Sequence, residues 1–433
     1  MSGFKSSEYY SKLTSFENAV AEIQNGDNIF TSGNASSPSE LLQHIANKSP
    51  ELKNVKIYHL LYIGKNPLAV HGMEDHVRIS SFFIGSSERE MIQSGKGDYT
   101  PIFLSDIPSL FLGRIIPIKI AYLMVSPPDN HGYMSLGVDC VASKSVMEIA
   151  DKIIVQVNEE MPRTHGDTFI HISKVHKIIE HTAPLHELKQ DEPTEIEKKI
   201  AEHISPLIND NATLQLGIGG IPNAVLKSLE GKINLGLHTE MISDGLLDAI
   251  EKGIVTNAKK NFRRGKAVAT FALGTKKLYE FLNDNPMFEF FPCNWTNNPF
   301  NISRNNNMIS INSALEVDIT GQVCAESLGP KIYSGFGGQL DFVRGAAASH
   351  GGKPIIALQS TAKNDTISKI VVQLKLGSGV LTTRGDVRYV VTEFGIANLF
   401  GKTLHQRIDE LIKIAHPKFH NELLAEAKSI YKI

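Results

Sequence analysis

One carboxylate in this chain follows a stretch of backbone suited to meeting a ligand. Residues Leu214 to Asp244 read LQLGIGGIPNAVLKSLEGKINLGLHTEMISD. Apolar Leu214 and Leu216 run into a turn with glycines at 217, 219 and 220, and Pro222 then opens a helix carrying Ala224, Val225, Leu226 and Leu229. Glycines let the main chain approach a bound molecule, and a helix start points unpaired N–H groups at it. Proline is tolerated there because its missing N–H would be unpaired anyway. A second short strand, Ile233 to Leu237, delivers His238, Thr239 and Glu240. A backbone N–H cradle thus precedes a carboxylate at a strand end, where open α/β sheets place their ligands. On composition alone Glu240 would be an ordinary surface carboxylate.

The familiar nucleotide motifs do not fit. A dinucleotide fingerprint needs a third glycine at position 222, where Pro222 stands. The pair Lys402-Thr403 resembles the tail of a phosphate-binding loop, but its partner glycine would fall on Ile396, with Gly395 one residue too far. Nucleotide triphosphate hydrolysis is therefore rejected. His171, His176, His181 and His186 recur every five residues, a spacing that suits neither a helix face nor one face of a strand, so no metal site is expected. Lys259, Lys260, Arg263, Arg264 and Lys266 form a basic cluster that reads either as a solvated turn or as a receiver of ligand phosphates. A second glycine loop, Tyr333 to Gln339, precedes Leu340, and a buried-type strand, Pro354 to Leu358, leads to a polar end carrying Lys363.

These residues need a scaffold. A chain of 433 residues, 42% of them hydrophobic, holds two domains with sizeable cores. The expected boundary is the polar, proline-containing stretch Glu187 to Glu195, dividing the chain into α/β domains at 1–190 and 191–433. The halves repeat one plan. Asp27 to Thr31, a Gly33 turn, Pro38 and an apolar helix parallel Leu214 to Leu229. Pro127 to Gly137 parallels Asp318 to Val323, and Lys152 to Val157 parallels Arg388 to Val391, which suggests a duplicated unit. A formal net charge of -2 offers no field for nucleic acid or an anionic membrane. Cys140, Cys293 and Cys324 lie far apart without a CxxC, which fits a reducing compartment. Ser6 to Ile23 reads as an amphipathic helix rather than a secretory signal, and the longest apolar run, Ile115 to Val125, is too short to span a bilayer. The expectation is a soluble, cytoplasmic protein.

Six segments carry a resemblance: SPPDNHGYMSLG at 126–137, GIGGIPNAV at 217–225, HTEMISDG at 238–245, GQVCAESLG at 321–329, YSGFGGQLDFVRGA at 333–346 and TEFGIANLFGKT at 392–403. Together they resemble the acetyl-CoA hydrolase/transferase family, and within it the 4-hydroxybutyrate and butyrate:acetate CoA-transferases. The resemblance implies a class I CoA-transferase: two related open-sheet α/β domains, a homodimer, acyl-CoA and small carboxylates as substrates, no permanently bound cofactor, and a glutamyl-CoA thioester intermediate. The family's catalytic glutamate falls on Glu240, ionised at neutral pH without help if it keeps its reference pKa of about 4.3. The CoA-binding loop falls on Gly217, Ile218, Gly219, Gly220 and Ile221, with further contacts at Gly338 and Lys363. Main-chain N–H groups near Ile218 and Gly338 are the candidate oxyanion donors. An acyl-CoA hydrolase would use the same residues with water as acceptor, and a non-catalytic acyl-CoA sensor would have no use for the glutamate.

Overall fold

The computed structural model describes residues 7–70 and 72–432. Their backbone contacts divide into two compact units. One holds the described residues up to Lys189 together with Val268–Thr296; the other holds Gln190–Ala267 with the described residues from Asn297 onward. The expected domain of residues 191–433 is thus interrupted, because 268–296 bonds into the first unit. The Cys140 N–H donates to the Thr270 carbonyl at 3.1 Å, the Cys293 N–H to the Val141 carbonyl at 2.9 Å and the Phe290 N–H to the His165 carbonyl at 2.7 Å.

The first unit is built on seven parallel strands: β1 (Asn28–Thr31), β2 (Val55–His59), β3 (Val77–Ser81), β4 (Asp98–Tyr99), β5 (Ile120–Val125), β6 (Lys152–Val157) and β7 (Lys177–Glu180), in the order 4-3-2-1-5-6-7. All six residues of β5 are buried, as a parallel strand covered on both faces requires. The glycine turn after β1 leads into α1 (Ser39–Lys48). That turn is filled by its own chain: Asp139 accepts the Gly33 N–H at 2.8 Å and the Asn34 side-chain amide at 3.3 Å, and burial pushes its carboxyl above the usual range. Three of the regularly spaced histidines serve different neighbours. His171 Nδ1 pairs with the Ser173 hydroxyl, His176 Nδ1 accepts the Ile153 N–H, and His186 Nε2 pairs with the Ser39 hydroxyl.

The amphipathic helix expected over 6–23 forms as two short ones, Ser7–Ser11 and Phe16–Val20; Ser6 lies outside the described residues. Between them Leu13 bridges to Ile178 beside β7, the Thr14 N–H donates to the Ile178 carbonyl, and Ser15 caps the second helix. Sheet pairing and a cap outcompete helical continuity there.

In the second unit, α2 (Glu195–Ile204) precedes β8 (Thr213–Leu216), α3 (Gly220–Lys227) and β9 (Gly236–Leu237). There follow α4 (Pro299–Ser303), β10 (Met308–Ser313), α5 (Gln339–Ala348), β11 (Lys353–Ala357), β12 (Tyr389–Thr392) and β13 (Gly395–Asn398). The sheet order is 9-8-10-11-12-13, parallel except for the last pair. The chain leaves β8 to one side for β9 and returns on the other for β10. Strand order therefore reverses at β8, and open α/β sheets bind ligands at such a reversal, outside the carboxyl ends. The order 2-1-5-6-7 in the first unit matches 9-8-10-11-12 here. It pairs Lys152–Val157 with Lys353–Ala357, one strand earlier than the sequence comparison placed it, because local strand patterns do not reveal sheet order.

Candidate active site

The site is built at the carboxyl ends of β8, β9 and β10. After β8, Gly219 adopts φ 118°, a conformation side-chain-bearing L residues rarely reach, so the turn into α3 needs glycine at that position. Ile218 is 39% exposed, and Gly219 beside it is also open to solvent. Unlike the glycine turn of the first unit, this one presents an apolar side chain and main chain to a ligand.

Strand β9 is held from beneath. Lys260, 3% exposed, donates from Nζ to the Leu237 carbonyl at 2.6 Å and the Lys266 carbonyl at 2.7 Å, and Asn257 accepts the Leu237 N–H at 2.8 Å. At least one member of the basic cluster is therefore neither solvated nor offered to phosphate. The buried Thr239 hydroxyl accepts the Leu216 N–H at 3.4 Å and lies 3.2 Å from the carbonyls of Leu216 and Met241. It ties the end of β8 to the turn that carries Glu240.

Glu240 keeps some exposed surface, but its carboxyl end is packed by protein. Oε2 accepts from Asn297 Nδ2 at 2.9 Å, and the Gly338 N–H also bonds the carboxylate. Burial pushes its pKa up to about 7 against the opposing pull of those two donors. The expectation of a carboxylate ionised at neutral pH without help is corrected: removal from water outweighs both hydrogen bonds, and the group is balanced between its two forms near neutrality.

Gly338 is the N-cap of α5, with φ -97°, so glycine is needed there for space rather than for backbone conformation. A Cβ at this position would fall well within 3.0 Å of Asn297 Nδ2 and Glu240 Oε2. The neighbouring Gln339 donates from Nε2 to the Ser313 carbonyl at 3.1 Å, anchoring the start of α5 to the end of β10. Asn297 precedes α4, whose N-cap Asn298 accepts the Phe300 N–H at 2.9 Å. Asn297 is fully buried, and its Oδ1 has no hydrogen-bond partner among the described residues.

Of the residues picked out from the sequence, the structure brings Glu240 and Gly338 into contact. It links the 217–221 loop to them through Leu216 and Thr239. Lys363 stands apart, exposed at the tip of the Thr361–Ala362/Ile367–Ser368 hairpin with φ 51°. No hydrogen bond among the described residues joins it to Glu240, Asn297 or Gly338. Asn297 escaped the sequence reading because an Asn-Asn-Pro run signals a helix start and nothing more.

Known proteins agree with this architecture. Residues 3–186 match the acetyl-CoA hydrolase/transferase N-terminal domain, and residues 274–427 match the C-terminal domain of the same family. The 4-hydroxybutyrate coenzyme A transferase of Clostridium kluyveri is 46% identical over 420 residues, covering 97% of this chain and 98% of its own. The butyryl-CoA:acetate CoA-transferase of Anaerostipes caccae is 40% identical over 433 residues, covering 97% of each chain. The crystal structure of 4-hydroxybutyrate CoA-transferase from Porphyromonas gingivalis superimposes with a TM-score of 0.85 at 38% identity, covering 97% of this chain and 98% of its own. With both halves matched in order and relatives alike along nearly their full length, the chain belongs to the acetyl-CoA hydrolase/transferase family.

Proposed function

We propose that the protein is a CoA-transferase that moves CoA between a short-chain acyl-CoA (acetyl-, butyryl- or 4-hydroxybutyryl-CoA) and a free carboxylate. The reaction is ping-pong, through a thioester on Glu240. The observation that carries this reading is a desolvated carboxylate that two N–H donors, Asn297 Nδ2 and the Gly338 main chain, hold in place.

A carboxylate oxygen of Glu240 attacks the thioester carbonyl carbon. The C–S bond breaks, and CoA thiolate leaves an acyl-glutamyl anhydride. The thiolate then attacks the side-chain carbonyl carbon of Glu240, the bond to the acyl oxygen breaks, and the donor acid departs as its carboxylate. In that second addition negative charge develops on the side-chain oxygen that stays with Glu240; Asn297 Nδ2 already points at Oε2, and the Gly338 N–H bonds the same carboxyl group. Donors arranged before the charge appears stabilise it without reorganisation. The acceptor carboxylate runs the two steps in reverse. Carboxylates and thiolate carry their own charge, so the cycle calls for no general base.

The loop Gly217, Ile218, Gly219, Gly220 and Ile221 contributes CoA contacts, as does Lys363 from its hairpin. Remote contacts of this kind can hold the thiolate for its return. The resemblance also supports a homodimer in the cytoplasm without a resident cofactor. Among the described residues, no helix is long and apolar enough to cross a membrane.

The test is intact-protein mass spectrometry of wild type and Glu240→Ala after incubation with an acyl-CoA and no acceptor. A CoA-sized adduct on wild type alone, discharged by acetate or 4-hydroxybutyrate, is expected. Discharge mainly by water would make the protein a hydrolase, and tight acyl-CoA binding without an adduct would make it a sensor.

A further inference from the structure

We propose that His238 is a positioning residue that sets the spacing between Glu240 and its two hydrogen-bond donors, an inference that rests on the role of Glu240 given above. His238 is fully buried, two residues before Glu240. Its Nδ1 lies 3.1 Å from Asn305 Nδ2. That same amide nitrogen lies 3.2 Å from the Ile302 carbonyl and 3.5 Å from the Asn301 carbonyl. Carbonyls only accept, so this end of Asn305 is the NH2 group, and it donates to Nδ1. The proton of the imidazole then sits on Nε2, and the ring has one defined tautomer.

Two rings set its tilt. Phe262 stacks at a centroid distance of 6.4 Å and an interplanar angle of 24°, and Phe342 meets it edge to face at 6.2 Å and 71°. The Arg304 guanidinium covers Phe262 at 3.8 Å from its centroid. Hydrogen bond and rings together fix both the rotation and the tilt of the imidazole, which an aliphatic side chain of similar size could not do.

These contacts reach the elements that supply both donors. Asn305 follows α4, the helix introduced by Asn297; Phe342 belongs to α5, whose N-cap is Gly338. Ile302 of α4 and Phe342 and Ala346 of α5 form one buried cluster with Met308 of β10. His238 therefore joins the segment bearing Glu240 to both of them, and its loss would let the carboxylate shift against Asn297 and the Gly338 N–H.

The experiment follows CoA-adduct formation by intact mass over a range of acyl-CoA concentrations. His238→Phe keeps a flat aromatic ring, slightly larger, and removes both ring nitrogens. We expect folding and the half-saturating concentration to be retained while the maximal rate falls roughly 10- to 100-fold, the scale of an ångström-sized misplacement of reacting groups. In an Asn297→Ala background the same substitution should cost at least about 3-fold less, because one of the donors it positions is already gone. A wild-type maximal rate, fully additive losses, or a loss confined to half-saturation would overturn the proposal. If His238→Phe does not fold, Phe342→Leu should show the same split at roughly 3- to 10-fold, and a wild-type rate there would also overturn it. A wild-type protein that forms no adduct would instead remove the reading of Glu240, so the two failures are distinguishable.

Discussion

Replacing Gly338 with alanine adds one carbon where the structure has no room for it. The backbone tolerates the change, since φ is -97°. The new Cβ would sit far closer to Asn297 Nδ2 and Glu240 Oε2 than the 3.0 Å that real Cβ atoms keep. Both groups must retreat by on the order of 1 Å, and a displacement of that size at a reacting group costs about 10²-fold. Losing an oxyanion donor outright costs about 10²- to 10³-fold, so thioester formation should slow by roughly that range. The pH profile should move as well. Asn297 and the Gly338 N–H both lower the Glu240 pKa, which burial holds at about 7, so weakening them raises it. The ionised, attacking form then appears only at higher pH. The assay is the rate of adduct formation by intact mass, with quenched samples across a pH series and thermal unfolding as the control for folding. A rate and profile equal to those of wild type, in a protein that folds normally, would remove Gly338 from the chemistry and with it the argument from crowding.

Other outcomes follow from the same geometry. In wild type, adduct formation should rise through an apparent pKa near 7 and level off above it, the sign for a nucleophile that must be deprotonated; a flat profile between pH 5 and 9 would contradict the buried-carboxylate account. Asn297→Ala should shift that profile to higher pH and slow the reaction by about 10²-fold, while leaving CoA affinity, measured by calorimetry, near wild type. Lys260→Met removes the ammonium that donates to the buried Leu237 carbonyl and to the part-buried Lys266 carbonyl, a cost of about 1–3 kcal/mol. Thermal unfolding should come several degrees earlier in that variant, with the preference for CoA over dephospho-CoA unchanged.

The strand, glycine turn and helix around Gly219 are legible in the sequence because each depends on neighbours a few residues apart. A proline, three glycines and an apolar face suffice to place them. The same locality makes Glu240 visible as a carboxylate at a strand end, and the ordered motifs mark the family. What the sequence leaves open depends on contacts between distant segments. Asn297 reads as part of a helix start until the fold brings it to a carboxylate 57 residues earlier. Lys260 reads as one charge among several until its ammonium is found beneath β9. Residues 268–296 lie within the second half of the chain yet bond into the first unit. The third strand match between the halves was placed one strand late, since sheet order is a property of pairing rather than of pattern. The ionisation of Glu240 was decided last. A carboxylate's pKa responds to whether water or protein surrounds it, and that is set only when β9, α4 and α5 close around the same group.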